Sequence, residues 1–162
     1  GGLWSGYDLS VDGYRRFLAD AQPVVRALAD AGIRFGFHNH SHEFVRDPEG
    51  GGRMPYDVLI DEGGGLQLEV DTYWVQHAGF DPVSILQRLP GRIAAVHLKD
   101  KEVVPKEGPV MAPVGEGNLD WSRILDSCRR NGTEFYIVEQ DECRRDPFDC
   151  LRSSFQYLQR LL

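Results

Sequence analysis

The sequence predicts an α/β fold with a parallel sheet covered by helices, either an open doubly wound sheet or part of a (β/α)₈ barrel. Three observations carry that expectation. Apolar runs of strand length alternate with helical segments, helices open on capping signals such as Asp81-Pro82 and Asp146-Pro147, and each strand ends in residues able to bind a cation or move a proton.

The first element is a helix over residues 10–31, where Tyr14, Phe17, Leu18, Ala21, Val24, Val25 and Leu28 keep helical spacing. Ser10 or Asp12 can cap it, Gly32 stops it, and Pro23 is placed to kink or divide it. Residues 33–38 then form a short apolar run expected to be a buried strand. Residues 41–65, rich in glycine and charge, hold a short helix over 55–60 and otherwise form a candidate active-site loop.

The same unit recurs. Residues 66–71 are a strand and 81–89 a helix with proline at its first position; 92–98 are the next strand. Residues 119–130 are a helix with Asp120 near its start and Asn131-Gly132 at its stop, and 134–139 are a fourth strand. The last helix opens at Asp146-Pro147 and runs towards Leu162. Phe35, Phe37, Phe135 and Tyr136 are expected to pack, and Glu116, between two glycines, to shape a turn.

Composition narrows the partners. The 162 residues make one ordinary domain, 1–162, and a net charge of -7 disfavours nucleic acid. No stretch matches a membrane helix or a signal sequence, so a cytoplasmic protein is expected. Cys128, Cys143 and Cys150 are odd in number and lack a paired CxxC spacing, which reads as reduced thiols. Gly63-Gly64-Gly65 lacks the lysine of a phosphate loop, and Gly1-Gly2, with no strand before it, reads as a cloning scar.

The strand ends carry the chemistry. They read His38-Asn39-His40, Glu69-Val70-Asp71, His97-Leu98-Lys99-Asp100 and Glu139-Gln140-Asp141. In parallel α/β architectures the carboxyl ends of the strands converge on one face, so these side chains are expected to meet. Oxygen and imidazole donors without thiolates suit one divalent ion such as manganese, cobalt, zinc or magnesium. An ion with open positions can chelate neighbouring oxygens of a hydroxy-carbonyl substrate, with a carboxylate at its edge as the base. Alternation along the strands puts Glu69 with Asp71 and His97 with Lys99, so Lys99 pairs with Glu69 or touches substrate.

A longer series of motifs carries a resemblance. In order, these are His38-Asn39-His40 with Glu43-Phe44, Asp71-Thr72-Tyr73-Trp74 with Ala78-Gly79-Phe80-Asp81-Pro82, Gly91-Arg92 leading to His97-Leu98-Lys99-Asp100, Pro113-Val114-Gly115-Glu116-Gly117 with Asp120-Trp121, and Tyr136-Ile137-Val138-Glu139-Gln140-Asp141. The series resembles the sugar phosphate isomerase/epimerase family, the xylose-isomerase-like TIM barrels. That resemblance implies a metal-dependent sugar or keto-sugar isomerase or epimerase, with proton abstraction next to a carbonyl.

By position it places metal ligands on Asp71, His97 and Glu139. The fourth is His38, where relatives carry glutamate, or Glu43 after a loop excursion. Glu139, Glu43 and His38 are the candidate catalytic groups, and Trp74, Lys99 and His40 the candidate substrate contacts. The same enolate logic admits a lyase or dehydratase. An abasic-site endonuclease-like hydrolase and a noncatalytic half-barrel are the readings from other classes.

A complete barrel has eight units in roughly 250 residues. This chain matches about four, the second half, which leaves sheet edges exposed. A companion N-terminal half or a homo-oligomer is therefore expected beside the small sugar substrate.

Overall fold

The computed structural model describes residues 3–161; Gly1-Gly2, read as a cloning scar, and Leu162 lie outside them. Helix α1 spans Val11–Asp30, and the Ser10 hydroxyl caps it by accepting from the Gly13 N–H. It runs unbroken through Pro23. The apolar stripe of Tyr14, Phe17, Leu18, Ala21 and Val25 is buried against the sheet.

Strand β1, Gly36–His38, is shorter than expected. The Gly32 and Ile33 N–H groups bond back to Ala29 O and Leu28 O, so these residues close the helix instead of starting the strand. Helix α2 (Pro55–Glu62) follows the loop, and β2 is Gln67–Asp71. Helix α3 (Thr72–His77) starts at once, with Asp71 as its N-cap, and α4 is Pro82–Gln87 with Asp81 as N-cap.

Strand β3 is Ala95–Leu98, shorter than the expected 92–98. Arg92 is used otherwise: its guanidinium donates to the carbonyls of Leu59, Ile60 and Leu66, closing the end of α2. An unexpected antiparallel hairpin follows, β4 (Asp100–Val104) with β5 (Gly108–Ala112), turning at Lys106 with φ 71° and Gly108 with φ 85°. Helix α5 is Trp121–Asn131, capped by Asp120 and ended by left-handed Gly132. Strand β6 is Phe135–Val138, and α6 is Pro147–Leu158.

The main sheet is parallel in the order β1-β2-β3-β6, with Asp71 opposite His97 and His97 opposite Ile137. Helices and parallel strands alternate in about four β/α units, the arrangement of part of a barrel. One face packs on the helices through Phe37, Leu68, Val70, Val96 and Leu98, all 0–1% exposed. Burial of such side chains stabilises by about 1.5–3 kcal/mol each.

The other face carries His38, Glu69, Asp71, His97 and Ile137, and it is open over β6. Phe135, expected to pack, is 55% exposed there, because alternation sends it away from the helices while Tyr136 points towards them. At the amino ends of the strands a cavity of about 610 Å³ is lined by Ile33, Phe35, Gln67, Ala95 and Phe135. Arg34, before β1, reaches Glu134, before β6, through two contacts of 2.7 Å.

The hairpin and its following loop hang on Asp100. This buried carboxylate accepts from the N–H groups of Gly115, Gly117 and Leu119 and from Trp121 Nε1. Glu116 does more than shape a turn, since both its oxygens are held by Arg145 at 2.6 and 2.7 Å. Cys128 and Cys150 are buried and Cys143 half-buried, all as free thiols.

Candidate metal centre

The four strand ends meet. Single donor atoms of His38, Asp71, His97 and Glu139 lie within 4.8 Å of one another. Sheet register explains this, because Asp71 and His97 are paired neighbours on the same face and His38 and Glu139 flank them on the outer strands.

Asp71 is fully buried, and its two oxygens have different tasks. Oδ1 accepts from the Trp74 N–H at 3.0 Å and so caps α3, while Oδ2 lies 3.3 Å from His38 Nε2, 3.6 Å from Lys99 Nζ and 3.8 Å from His97 Nδ1. The Asp71 N–H donates to the Asn39 side chain at 3.0 Å, tying β2 to the end of β1. Cap and cluster together fix this carboxylate's orientation.

His97 stands between carboxylates. Its Nδ1 is 2.6 Å from Glu139 Oε2, and its Nε2 is 3.1 Å from Glu69 Oε1. Lys99, also buried, does not pair with Glu69; its Nζ lies 2.5 Å from Asp141 Oδ2 and 3.3 Å from Glu139 Oε2. The lysine is drawn along the strand end towards β6, and His97 takes Glu69 instead. Trp74 walls the ammonium with its ring 5.3 Å away, and Thr72 Oγ1 holds the backbone of Lys99 by accepting its N–H at 3.1 Å.

Charge is balanced inside this group. Burial pushes the Asp71 carboxyl up, but His38, His97, the Trp74 N–H and the Lys99 charge around it overcome this and hold the group at about 2. Burial alone would pull His97 and Lys99 down; the surrounding carboxylates raise both. The donor set, two imidazoles and two carboxylates converging on one point, fits a single divalent cation of the borderline or hard class.

The remaining expected residues fall into a second group. Glu43 is fully buried away from the four donors, accepting from Tyr14 Oη and the His40 N–H at 2.8 Å, with His42 Nε2 2.9 Å away. His40 links the groups, its ring 4.8 Å from that of His38 and 5.6 Å from that of Trp74. Burial and the neighbouring His38 lower its basicity.

Glu69 and Asp141, among the strand endings expected to meet but not among the assigned ligands, both join the cluster, at His97 and Lys99. For Glu69 the signal was positional, since it stands two residues from Asp71 on the same side of β2. Tyr14, on the first helix, gave no sequence signal for a contact with Glu43.

The sequence profile of the xylose isomerase-like TIM barrel matches residues 1–161. The chain belongs to that family. Among curated relatives, an inosose dehydratase of Clostridium beijerinckii is 26% identical over 162 residues, covering 88% of this chain and 53% of that protein. An inosose dehydratase of Geobacillus kaustophilus is 27% identical, covering 98% and 54%. The chain thus spans about half the length of the curated relatives it matches.

Solved xylose isomerase-like structures share the fold. A sugar phosphate isomerase/epimerase from Parabacteroides distasonis aligns with a TM-score of 0.77 at 24% identity over 94% of this chain and 54% of that one. A 3-keto-D-glucoside 4-epimerase from E. coli aligns with a TM-score of 0.66 at 14% identity, over 93% and 55%. Among the described residues, no helix is long and apolar enough to cross a membrane.

Proposed function

We propose that this chain supplies the cation-binding half of an enzyme that removes a proton next to the carbonyl of a keto-sugar, and that isomerisation or epimerisation follows. The observation that carries the reading is the convergence of His38, Asp71, His97 and Glu139 from four strand ends, with a buried lysine beside them. A divalent cation held there would polarise a carbonyl and make loss of the neighbouring proton easier.

The chain's own residues then divide the work. Glu139 has the most exposed side chain of the four, at 33%, and stands at the rim, where it can take a proton from carbon. The buried Lys99 ammonium behind it adds positive charge to the field in which negative charge collects on the oxygen. Trp74 offers an aromatic face to the C–H side of the sugar. His38 lies at the far end of the row from Glu139, towards His40, on the side where a proton would be returned.

Elimination is the second reading, favoured by the curated relatives, which are named inosose dehydratases. It shares the first step and differs in the fate of the neighbouring hydroxyl, which leaves as water. Incubation with an inosose and with a 3-keto-D-glucoside in deuterium oxide separates the two. Deuterium gained beside the ketone with mass otherwise kept supports epimerisation, and water loss supports elimination. Full turnover by metal-depleted protein, or by Glu139→Gln, overturns both.

The open sheet face and the roughly half-length match to relatives support a companion first half as partner. Addition of a separately produced N-terminal half of a relative, followed by sedimentation, tests this. A stable one-to-one complex is expected; two copies of this chain bound to each other would favour a homo-oligomer instead.

A further inference from the structure

We infer that Glu69 is a positioning residue for His97: its carboxylate, 3.1 Å from Nε2, would hold the ring's remaining proton once a cation takes Nδ1, and so keeps Nδ1 turned towards Asp71 and Glu139. The inference rests on the cluster being a cation site.

The argument starts from the ring. A neutral imidazole has one N–H and one lone pair, and a ligating nitrogen must present the lone pair. Nδ1 is the nitrogen that faces the cluster, 2.6 Å from Glu139 Oε2 and 3.8 Å from Asp71 Oδ2. Without an ion Nδ1 donates to Glu139; an ion bound at Nδ1 would displace that proton and leave the ring's one N–H on Nε2, 3.1 Å from Glu69 Oε1.

Sheet register makes this contact available. Asp71 is opposite His97, and Glu69 is opposite Ala95, so Glu69 is the diagonal neighbour of His97 on the same face. Ala95 has no bulk to block the diagonal, which leaves the Glu69 side chain free to lean towards the ring. One strand thus provides two carboxylates two residues apart, Asp71 towards the ion and Glu69 behind the imidazole. Carboxylates placed behind ligating histidines fix the tautomer and ring orientation, and losing one typically costs about 10–100-fold in metal affinity.

The test uses the full chain with zinc ion alone as the probe. Calorimetric titration gives affinity, and long-range proton–nitrogen correlation spectra of ¹⁵N-histidine-labelled protein report which nitrogen of His97 carries the proton. The expected result is zinc on Nδ1, a protected proton on Nε2, a loss of about 10–100-fold in affinity for Glu69→Leu, and near-complete recovery for Glu69→Gln, whose amide oxygen still accepts. Zinc bound through Nε2, or unchanged affinity in Glu69→Leu, overturns the role of Glu69 while the cation site stands. No saturable zinc binding by the wild-type chain overturns the cation site and this inference together. Thermal unfolding of each metal-free variant separates positioning from folding: a Glu69→Leu protein as stable as wild type but weak in zinc binding supports positioning, whereas affinity that falls only in proportion to lost stability overturns it.

Discussion

The Lys99 ammonium lies 2.5 Å from Asp141 Oδ2, directly behind two of the candidate ion ligands. The same nitrogen is 3.3 Å from Glu139 and 3.6 Å from Asp71. A fixed positive charge therefore sits among carboxylates that a divalent ion would also neutralise.

That competition predicts opposite effects of Lys99→Met. Loss of the ammonium removes repulsion towards an incoming cation, so zinc affinity should rise by roughly tenfold, the size of effect a partly screened charge at this range can produce. The metal-free protein should instead melt lower, by about 5 °C, because neighbouring carboxylates lose their partner. Calorimetric titration and thermal unfolding in chelator check the two; weaker zinc binding would show that the lysine organises the ligands and does not oppose the ion.

Acid stability should report on Asp71. Its carboxyl ordinarily titrates at 3.8 and is held at about 2 in the fold, so it binds fewer protons folded than unfolded near those values. Its contribution is present above the ordinary value and is lost as pH falls from about 4 towards 2. His97 is raised, so its contribution is complete below 6.5 and fades as pH climbs through its folded value. Denaturant titrations of metal-free protein across pH should show both limbs, with Asp71→Asn flattening the acid one and His97→Gln the alkaline one.

Asp100 should be the most sensitive position outside the site. Asp100→Ala strands four backbone N–H groups, of Lys101, Gly115, Gly117 and Leu119, and the Trp121 indole, and is expected to cost about 3–5 kcal/mol. Gly117→Ala acts on the same contact, because a Cβ there would collide with the Asp100 carboxylate. Urea unfolding together with the near-ultraviolet signal of Trp121 measures both, and a loss below 1 kcal/mol for Asp100→Ala would contradict this account.

Trp74 separates binding from chemistry. Under the keto-sugar reading, Trp74→Ala should raise KM several-fold with kcat little changed, and Trp74→Phe should recover most of the loss, since an aromatic face is retained. Steady-state kinetics on an inosose provide the comparison.

The parallel elements were legible because their signals are local. Ser10, Asp81, Asp120 and Asp146 each cap the helix expected of them. The hairpin after Asp100 was not, because its turn places Lys106 at positive φ, a conformation that a lysine does not advertise. The meeting of His38, Asp71, His97 and Glu139 followed from topology, since parallel strands present their carboxyl ends together. Partner choice did not: whether Lys99 turns to Glu69 or to Asp141 depends on side-chain packing two residues beyond any periodic pattern.

The contact between Arg34 and Glu134 measures how far the sheet has bent. These residues precede the two outermost strands and are separated by 100 positions in the chain, with two strands between them. On a flat sheet the outer strands would stand roughly 14 Å apart at the usual spacing, near the limit of two extended side chains. Both groups are half exposed, at 49% and 54%, so the pair is too weak to hold the arc by itself. It acts as a gauge: the chord it spans is set by strand twist and by the helices behind the sheet. Arg34→Ala should therefore leave the arrangement of the outer strands unchanged.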